Sequence, residues 1–185
     1  MLPPGAQLLS NFISCSHASE LLGAVDRGPW LTDLRRRVQH YGWRYDYRAR
    51  RTAEHLYLGP LPVWLTEETR RLVKEGGFSS PPDQAIINEY LPGQGISAHV
   101  DCEPCFGPVI ASLSLGGPCE MEFRSRDGGE RCKALLSPRS LLILNGEARY
   151  DWTHAIPARK SDLVDGRRIP RHRRVSLTFR TVLRA

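Results

Sequence analysis

From Pro82 onward the sequence consists of short apolar segments separated by glycine, proline and polar residues. Segments of this length and composition are typical of β-strands, because β-branched and aromatic residues favour an extended backbone. Asp127-Gly128-Gly129 predicts a hairpin turn between two of them. The six predicted strands are Ala85 to Leu91, Val109 to Leu115, Glu120 to Arg124, Arg131 to Leu136, Leu141 to Leu144 and Arg173 to Val182.

The first third of the sequence has helical periodicity instead. Apolar residues recur at helical spacing from His17 to Val25 and from Leu31 to Val38, with Arg35 to Arg37 on the outer side of the second segment. Another helix is predicted from Thr66 to Lys74, ended by Gly76-Gly77. Helices followed by many short strands predict an α+β domain whose β part is a sandwich or jelly roll.

Two segments depart from this division into helices and strands. Trp43 to Tyr47 alternates like a strand, and Pro157 to Pro170 is polar and broken enough to predict a long loop. The length of 185 residues fits one domain, and we expect residues 1–185 to form it. We find neither a bilayer-spanning apolar run nor a secretory signal. These features predict a soluble, cytoplasmic monomer without a membrane partner.

The chain is basic, with 26 basic and 20 acidic residues and a formal charge of +6. Nearly all of the positive charge is guanidinium, which can bind phosphate through two parallel hydrogen bonds. The arginines cluster at Arg35 to Arg37, at Arg48, Arg50 and Arg51, and from Arg167 to Arg174. A nucleic-acid partner is compatible with these clusters, and solvated protein faces explain them equally well.

The five cysteines are an odd number without a disulfide framework. Cys102 and Cys105 form a C-x-x-C pair, a spacing found in zinc and redox sites. Since the remaining cysteines do not form the second close pair that a structural zinc site usually needs, we expect free, reduced thiols.

One set of residues has the composition of a metal site. His99 and Asp101 lie two apart, so an extended backbone directs both side chains to one face. His154 follows much later, and in isolation a core histidine bonded to a carbonyl explains it well. Together the three match the two-histidine, one-carboxylate set that holds iron(II) and leaves three positions open, two for a 2-oxoacid and one for dioxygen.

The last predicted strand carries alternating polar residues. Arg174, Ser176 and Arg180 share one face with Thr178, and apolar residues occupy the other. The polar face could bind a dicarboxylate inside a barrel, or it could face solvent, as on most half-buried strands. Asn88 and Tyr90 also share a strand face and could hydrogen-bond the same ligand, although an ordinary strand accounts for them too.

The order Asn-x-Tyr, Pro-Gly, His-x-Asp, His and Arg-x-Ser-x-Thr-x-Arg resembles the AlkB family of iron(II)- and 2-oxoglutarate-dependent dioxygenases. The resemblance extends from about Leu31 to Arg180 and is most specific in NEYLPGQGISAHVD, VIASLSL, PRSLLILNGEARYDWTH and RVSLTFR. Within the family, the sequence is most similar to the catalytic domain of the branch that hydroxylates the wobble uridine of tRNA. The resemblance implies a double-stranded β-helix with helices packed on one sheet.

The resemblance also implies roles for individual residues. His99, Asp101 and His154 would be the iron ligands and the catalytic centre. The distal carboxylate of 2-oxoglutarate would be held by Arg174 with Tyr90 and Ser176, where many family members have asparagine instead of this serine. Arg180 and Asn88 would lie near the metal-bound end of 2-oxoglutarate. In the family, dioxygen and 2-oxoglutarate are consumed while a substrate carbon is hydroxylated, and a hydroxylated N-alkyl group is lost as an aldehyde.

The resemblance, together with the charge, predicts nucleic-acid bases as substrates, in repair of alkylated DNA or RNA or in tRNA modification. We expect the aromatic and basic segment between Tyr41 and Arg51 to grip a nucleotide, although an ordinary strand and loop fits it as well. Oxidation of a protein or small molecule, or a non-catalytic binding module, are the alternatives. The predicted substrate residues are Trp43, Tyr45, Tyr47, Arg48, Arg50 and Arg51.

Overall fold

Two β-sheets enclose a buried interior in the computed structural model, which describes residues 1–32 and 34–184. The helices are α1 (Cys15–Arg27), α2 (Thr66–Glu75) and α3 (Gly146–Tyr150), with 3-10 turns at Glu54–Leu56 and Val63–Leu65. The strands are β1 (Ala6–Leu9), β2 (Val38–Tyr41), β3 (Gln84–Tyr90), β4 (Ile96–His99), β5 (Ile110–Gly116), β6 (Cys119–Ser125), β7 (Arg131–Leu136), β8 (Leu141–Leu144), β9 (Trp152–Ile156), β10 (Ser161–Val164), β11 (Arg167–Pro170) and β12 (Arg174–Arg180).

The order of the strands is that of a jelly roll. A six-stranded sheet has the order β1-β8-β5-β12-β3-β2, and a four-stranded sheet has the order β4-β9-β6-β7. Neighbouring strands within each sheet run antiparallel. Strands distant in sequence are paired, so that β12, the last strand, lies between β3 and β5 at the centre of the larger sheet. The predicted α+β jelly roll is confirmed, and so are all six predicted strands, within a few residues at each end.

Alternation along the central strand separates two hydrophobic cores. Val175, Leu177 and Phe179 on β12 are fully buried and belong to an outer core between the larger sheet and the helices α1 and α2. Along β8, residues 141 and 143 join this outer core, while 142 and 144 join an inner core between the two sheets. The polar residues of β12 therefore face the interior between the sheets rather than solvent.

The first and third predicted helices are confirmed. The Ser14 side chain caps α1 by accepting a hydrogen bond from the backbone N–H of His17 (3.1 Å). Gly76 ends α2 with its backbone N–H bonded to the Leu72 carbonyl. The His17 ring forms a short hydrogen bond with the buried carboxylate of Glu68, which joins the two helices. Of the helices in residues 1–32 and 34–184, none combines the length and apolarity that crossing a bilayer requires.

The helix predicted from Leu31 to Val38 is wrong. Leu31 and Val38 form an isolated β-bridge, and Val38 begins a strand that pairs with β3; Asp33 lies outside the described residues. The Arg37 side chain is bonded to Glu89, whose backbone N–H also donates to the Arg37 carbonyl. Pairing with the sheet has therefore overridden a helical pattern that was only a weak local preference.

Two further predictions need correction. Trp43 to Tyr47 does not form a continuous strand; Trp43 and Asp46 make only isolated bridges, to Tyr57 and Arg51. The loop predicted from Pro157 to Pro170 contains the β10–β11 hairpin instead. Its turn is Asp165-Gly166, both with positive φ (49° and 76°), which is the backbone that a two-residue hairpin favours. The Asp-Gly pair was the available signal for this hairpin.

The outer core predicts a large difference between two leucines. Leu177→Ala removes a side chain with 0% exposure from the central strand and should lower the free energy of unfolding by about 2–5 kcal/mol. Leu163→Ala removes a side chain that is 63% exposed on β10 and should change it by less than about 0.5 kcal/mol. Urea denaturation of both variants measures this difference. Equal effects of the two substitutions would contradict the assignment of β12 to the outer core.

Candidate active site

Three side chains of the kinds that bind metal ions meet where the smaller sheet ends. His99 is the last residue of β4 and is the direct cross-strand partner of His154 on β9, with ring centroids 4.4 Å apart. Asp101 follows two residues later in the loop. Each residue offers one ligand atom, and these atoms lie within 4.8 Å of one another. The sheet register therefore brings together residues that are far apart in sequence, in a geometry that could hold one cation.

Hydrogen bonding and electrostatics at these side chains suit metal binding, which needs a neutral imidazole and an ionised carboxylate. His99 Nδ1 lies 2.8 Å from the carbonyl oxygen of Ser97, which can only accept, so Nδ1 is the donor in this hydrogen bond. Burial lowers the pKa of His154 to about 4, which leaves the ring neutral at physiological pH. Burial alone would raise the pKa of Asp101, but the charge of Arg180 and the neighbouring histidines hold it well below its usual range.

Arg180 determines which oxygen of Asp101 is available. Its Nε and Nη2 atoms lie 2.8 and 2.6 Å from Asp101 Oδ1. The other oxygen, Oδ2, lies 3.6 Å from His154 Nε2 and faces the histidines. Because Nη1 also donates to Gln84 (3.3 Å), the guanidinium is fixed and fixes the carboxylate in turn. Arg180 is therefore in contact with the metal ligand itself.

Arg149 is a residue that the sequence analysis missed. Its buried guanidinium donates to the backbone carbonyls of Asp101 (2.9 Å) and of residues 102, 106 and 107 (each 3.3 Å). A single side chain thus holds the loop that carries the carboxylate ligand. Its place in GEARYDWTH, five residues before His154, was the only signal in the sequence.

A second charged group lies deeper in the same cavity. Arg174 is 2% exposed, and its Nη2 donates to Ser114 Oγ (2.9 Å) while the guanidinium lies over the Tyr90 ring. Its Nε and Nη1 atoms are buried and have no hydrogen-bond partner within the described part of the chain. A buried cation with unpaired donors is unfavourable unless an anion accepts from them. The cavity therefore fits a carboxylate at this position.

All eight residues predicted to hold iron or 2-oxoglutarate line this one cavity, with the hydroxyl-bearing Ser112 and Thr178 beside them. Ser176 Oγ lies 2.8 Å from Ser112 Oγ, and Asn88 Oδ1 accepts from Arg36 Nε (2.9 Å). Ser112, Ser114 and Arg36 were not among the predicted site residues. Alternation in the segment Ser-Leu-Ser-Leu was the signal for the two serines. The eight lining residues are Asn88, Tyr90, His99, Asp101, His154, Arg174, Ser176 and Arg180.

Of the six predicted substrate residues, three lie at the mouth of the cavity and three lie elsewhere. Tyr45, Tyr47 and Arg50 line the open mouth above the metal-binding residues, and the two tyrosine rings meet edge to face with centroids 5.1 Å apart. Trp43 is buried and packs against Tyr57 beside a separate cavity. The exposed residues Arg48 and Arg51 belong to the adjoining turn and do not line the mouth.

The prediction of free thiols is wrong for one pair. Cys102 and Cys105 form a disulfide, while Cys15, Cys119 and Cys132 are free. A three-residue separation in the turn after Asp101 brings the two sulfur atoms together, which spacing alone could not establish. The Cys102 sulfur lies 3.3 Å from the carbonyl oxygen of Arg50. The loop after the carboxylate ligand thus contacts the segment that lines the mouth.

Comparisons with known proteins identify the family of this chain. The 2OG-Fe(II) oxygenase superfamily matches residues 6–180. The structure of OsALKBH1 superposes with a TM-score of 0.75 over 98% of both chains at 18% identity, and supports the fold. Two imidazoles with one carboxylate suit iron(II), and the unpaired donors of Arg174 suit one end of 2-oxoglutarate.

Three relatives show where this chain belongs. It is 41% identical to the alkylated DNA repair protein ALKBH8 homolog of Arabidopsis thaliana, over 97% of this chain and 58% of the relative. It is 34% identical to the uncharacterized protein L905 of Acanthamoeba polyphaga mimivirus, over 97% and 86%. It is 38% identical to the tRNA (carboxymethyluridine(34)-5-O)-methyltransferase alkbh8 of Xenopus tropicalis, over 88% of this chain and 27% of the relative. The chain therefore belongs to the 2OG-Fe(II) oxygenase superfamily and, within it, to the AlkB family of dioxygenases.

Proposed function

We propose that this dioxygenase oxidises nucleic-acid bases, with residues 1–185 forming one catalytic domain and His99, Asp101 and His154 holding iron(II). The reaction is either oxidative dealkylation of an alkylated base in DNA or RNA, or hydroxylation of a base in tRNA. The proposal rests chiefly on the mouth above the metal-binding residues, where two aromatic rings and arginine side chains surround the opening.

Binding of the co-substrate is assigned to the inner end of the cavity. Arg174 donates through its unpaired Nε and Nη1 atoms to the distal carboxylate of 2-oxoglutarate, with Tyr90 and Ser176 beside it. When bound, iron(II) and 2-oxoglutarate supply the chemistry that inserts one atom of dioxygen into a carbon–hydrogen bond, with release of succinate and carbon dioxide. Apolar residues of the inner core line the rest of the cavity and exclude water from the reacting groups.

The mouth suits a base that has left its stack. Tyr45 and Tyr47 offer ring surfaces on which a flipped base can stack, and Arg50 offers a charge for its phosphate. Two relatives support this substrate class: one is named for repair of alkylated DNA, the other for modification of a tRNA uridine. The chain spans 58% and 27% of these proteins, so their complete activities enter only as support for the class.

The pairing of Arg180 with Asp101 gives a prediction about the metal. Arg180→Gln should weaken Mn(II) binding, used in place of iron(II), by about 10- to 100-fold, because Asp101 loses the partner that orients it. Arg180→Lys should restore only part of the affinity, since an ammonium group cannot donate in the same fork geometry. Isothermal titration without oxygen measures the affinities.

Two histidine variants serve as controls for the titration with Mn(II). His154→Ala removes a proposed ligand and should abolish specific Mn(II) binding, whereas His172→Ala changes an exposed histidine outside the cavity and should leave it intact. Wild-type affinity in Arg180→Gln would show that Asp101 does not need its arginine partner. Wild-type affinity in His154→Ala would place the metal elsewhere.

The substrate class is tested by turnover. Succinate formation from 2-oxoglutarate should rise when methylated single-stranded DNA, methylated RNA or tRNA is added, with oxidised base detected by mass spectrometry in one of them. Tyr47→Ala should reduce this stimulation by about 5- to 150-fold, since base stacking contributes about 1–3 kcal/mol, while succinate formation without substrate stays unchanged. Stimulation by a peptide or small molecule, and by none of the nucleic acids, would overturn the proposed substrate.

A further inference from the structure

We propose that the nucleic-acid strand does not end at the mouth but continues along a basic track to the β10–β11 hairpin, where Arg167 and Arg168 bind its phosphates. The basic track is defined by six cations, which are Arg35, Arg36 and Arg50 at the mouth, Lys160 just before β10, and Arg167 and Arg168 on β11. This inference rests on the proposed function. It adds a second contact region for the same single strand, whether DNA or RNA.

Contacts through one turn make the track continuous. Arg35 and Arg36 line the mouth together with Arg50. The Arg35 carbonyl accepts from the side chain of Gln94 (2.8 Å), and the backbone N–H of the neighbouring Gly93 donates to the Arg159 carbonyl (3.1 Å). The mouth and the start of the hairpin therefore lie on either side of the single turn that contains Gly93 and Gln94.

The next residue brings positive charge across this turn. A side-chain atom placed on Gly93 would lie 3.9 Å from Lys160 Cγ, so the lysine stem lies close to the turn. Lys160 is exposed and directly precedes β10. Lys160 therefore lies between the arginines at the mouth and the arginines on the hairpin.

The arginine cluster near the C-terminus has two kinds of members. Arg171 and Arg173 form ion pairs with carboxylates, and Arg174 lies inside the co-substrate cavity. Arg167 and Arg168 are exposed, and neither lies within ion-pair distance of a carboxylate in residues 1–32 and 34–184. Arg168 donates only to the Ser161 hydroxyl (2.7 Å). Ion pairs within the fold and the co-substrate cavity thus account for Arg171, Arg173 and Arg174. Arg167 and Arg168 are left available to bind a partner.

Ion pairs at the base of the β10–β11 hairpin fix its position relative to the smaller sheet. Asp162 is 2% exposed at its base and accepts from Arg171 (2.7 and 2.8 Å) and from Arg159 (2.8 Å). Arg159 also binds Glu120 on the smaller sheet (2.5 Å). Preorganised guanidinium groups lose little conformational freedom when they bind phosphate.

A single strand is the partner that fits this arrangement. The charges extend from the mouth past one turn to the hairpin rather than lining a single pocket, and positive charges spread in this way suit the repeated phosphates of a polynucleotide. Exposed Leu163 is paired across the hairpin with Arg168, so an apolar surface lies beside the charge and can contact a base. A free nucleotide would reach only the mouth, so the hairpin should respond to strand length.

The test combines strand length with two variants. Fluorescence anisotropy is measured with the Mn(II)- and 2-oxoglutarate-loaded protein, without oxygen, on single-stranded DNA and RNA of about 4 to about 20 nucleotides. Wild-type affinity should rise with length and then level off. The double variant Arg167→Gln/Arg168→Gln should match the wild type on the shortest strands and bind the longest about tenfold more weakly. On the longest strands, the slope of log affinity against log salt concentration should be shallower by about 1.4. This is about 0.7 for each phosphate that the variant no longer neutralises.

The matched control removes the same charge from another face. Arg70→Gln/Lys74→Gln changes two exposed cations on α2, which packs on the outer core away from the mouth, and should bind every length like the wild type. If the affinities of the wild type and of Arg167→Gln/Arg168→Gln rise equally with strand length, the hairpin does not bind the strand. The basic track is then wrong, and the proposed function is unaffected. If neither DNA nor RNA of any length binds, the proposed substrate class falls with it. Equally tight binding of length-matched poly-glutamate would overturn the assignment to nucleic acid.

Discussion

Two buried guanidinium groups on the interior face of β12 impose the constraint on which the site depends. Arg174 and Arg180 are 2% and 8% exposed, and buried cations are stable only beside anions. For Arg180 the protein supplies the anion, Asp101. For Arg174, residues 1–32 and 34–184 supply a serine hydroxyl and leave two N–H donors unpaired. One strand therefore orients the carboxylate of the candidate metal site with one arginine and, with the other, presents donors that suit a carboxylate.

The jelly roll makes this arrangement possible. Its central strand has apolar residues packed against the helices on one face, so the alternate residues must point between the sheets. The smaller sheet supplies His99 and His154 as cross-strand partners opposite this polar face. Arg149 then holds the loop between the sheets through four backbone carbonyls. Each ligand is thus set by an element whose position the hydrophobic cores determine.

Much of this could be predicted from the sequence, because the decisive patterns are local. Alternation in RVSLTFR and the spacing of His99 and Asp101 follow from the geometry of an extended backbone. His154 completes the two-histidine, one-carboxylate set that suits iron(II). Pairings across the fold could not be predicted in this way. The segment from Leu31 to Val38 has a helical pattern, yet Leu31 and Val38 form a β-bridge, and the side chains of Arg36 and Arg37 are bonded to β3. The partner of Arg180, the role of Arg149 and the disulfide likewise depend on contacts between distant segments.

The central claim is that the missing partner of Arg174 is the distal carboxylate of 2-oxoglutarate. The most direct measurement compares 2-oxoglutarate with 2-oxovalerate, which lacks that carboxylate, in oxygen-free titrations of the Mn(II)-loaded wild type and Arg174→Gln. Loss of a buried charge pair costs about 2 kcal/mol or more, so the substitution should weaken 2-oxoglutarate binding at least about 30-fold. It should leave the weaker binding of 2-oxovalerate unchanged. Equal weakening of both ligands, or of neither, would contradict the account.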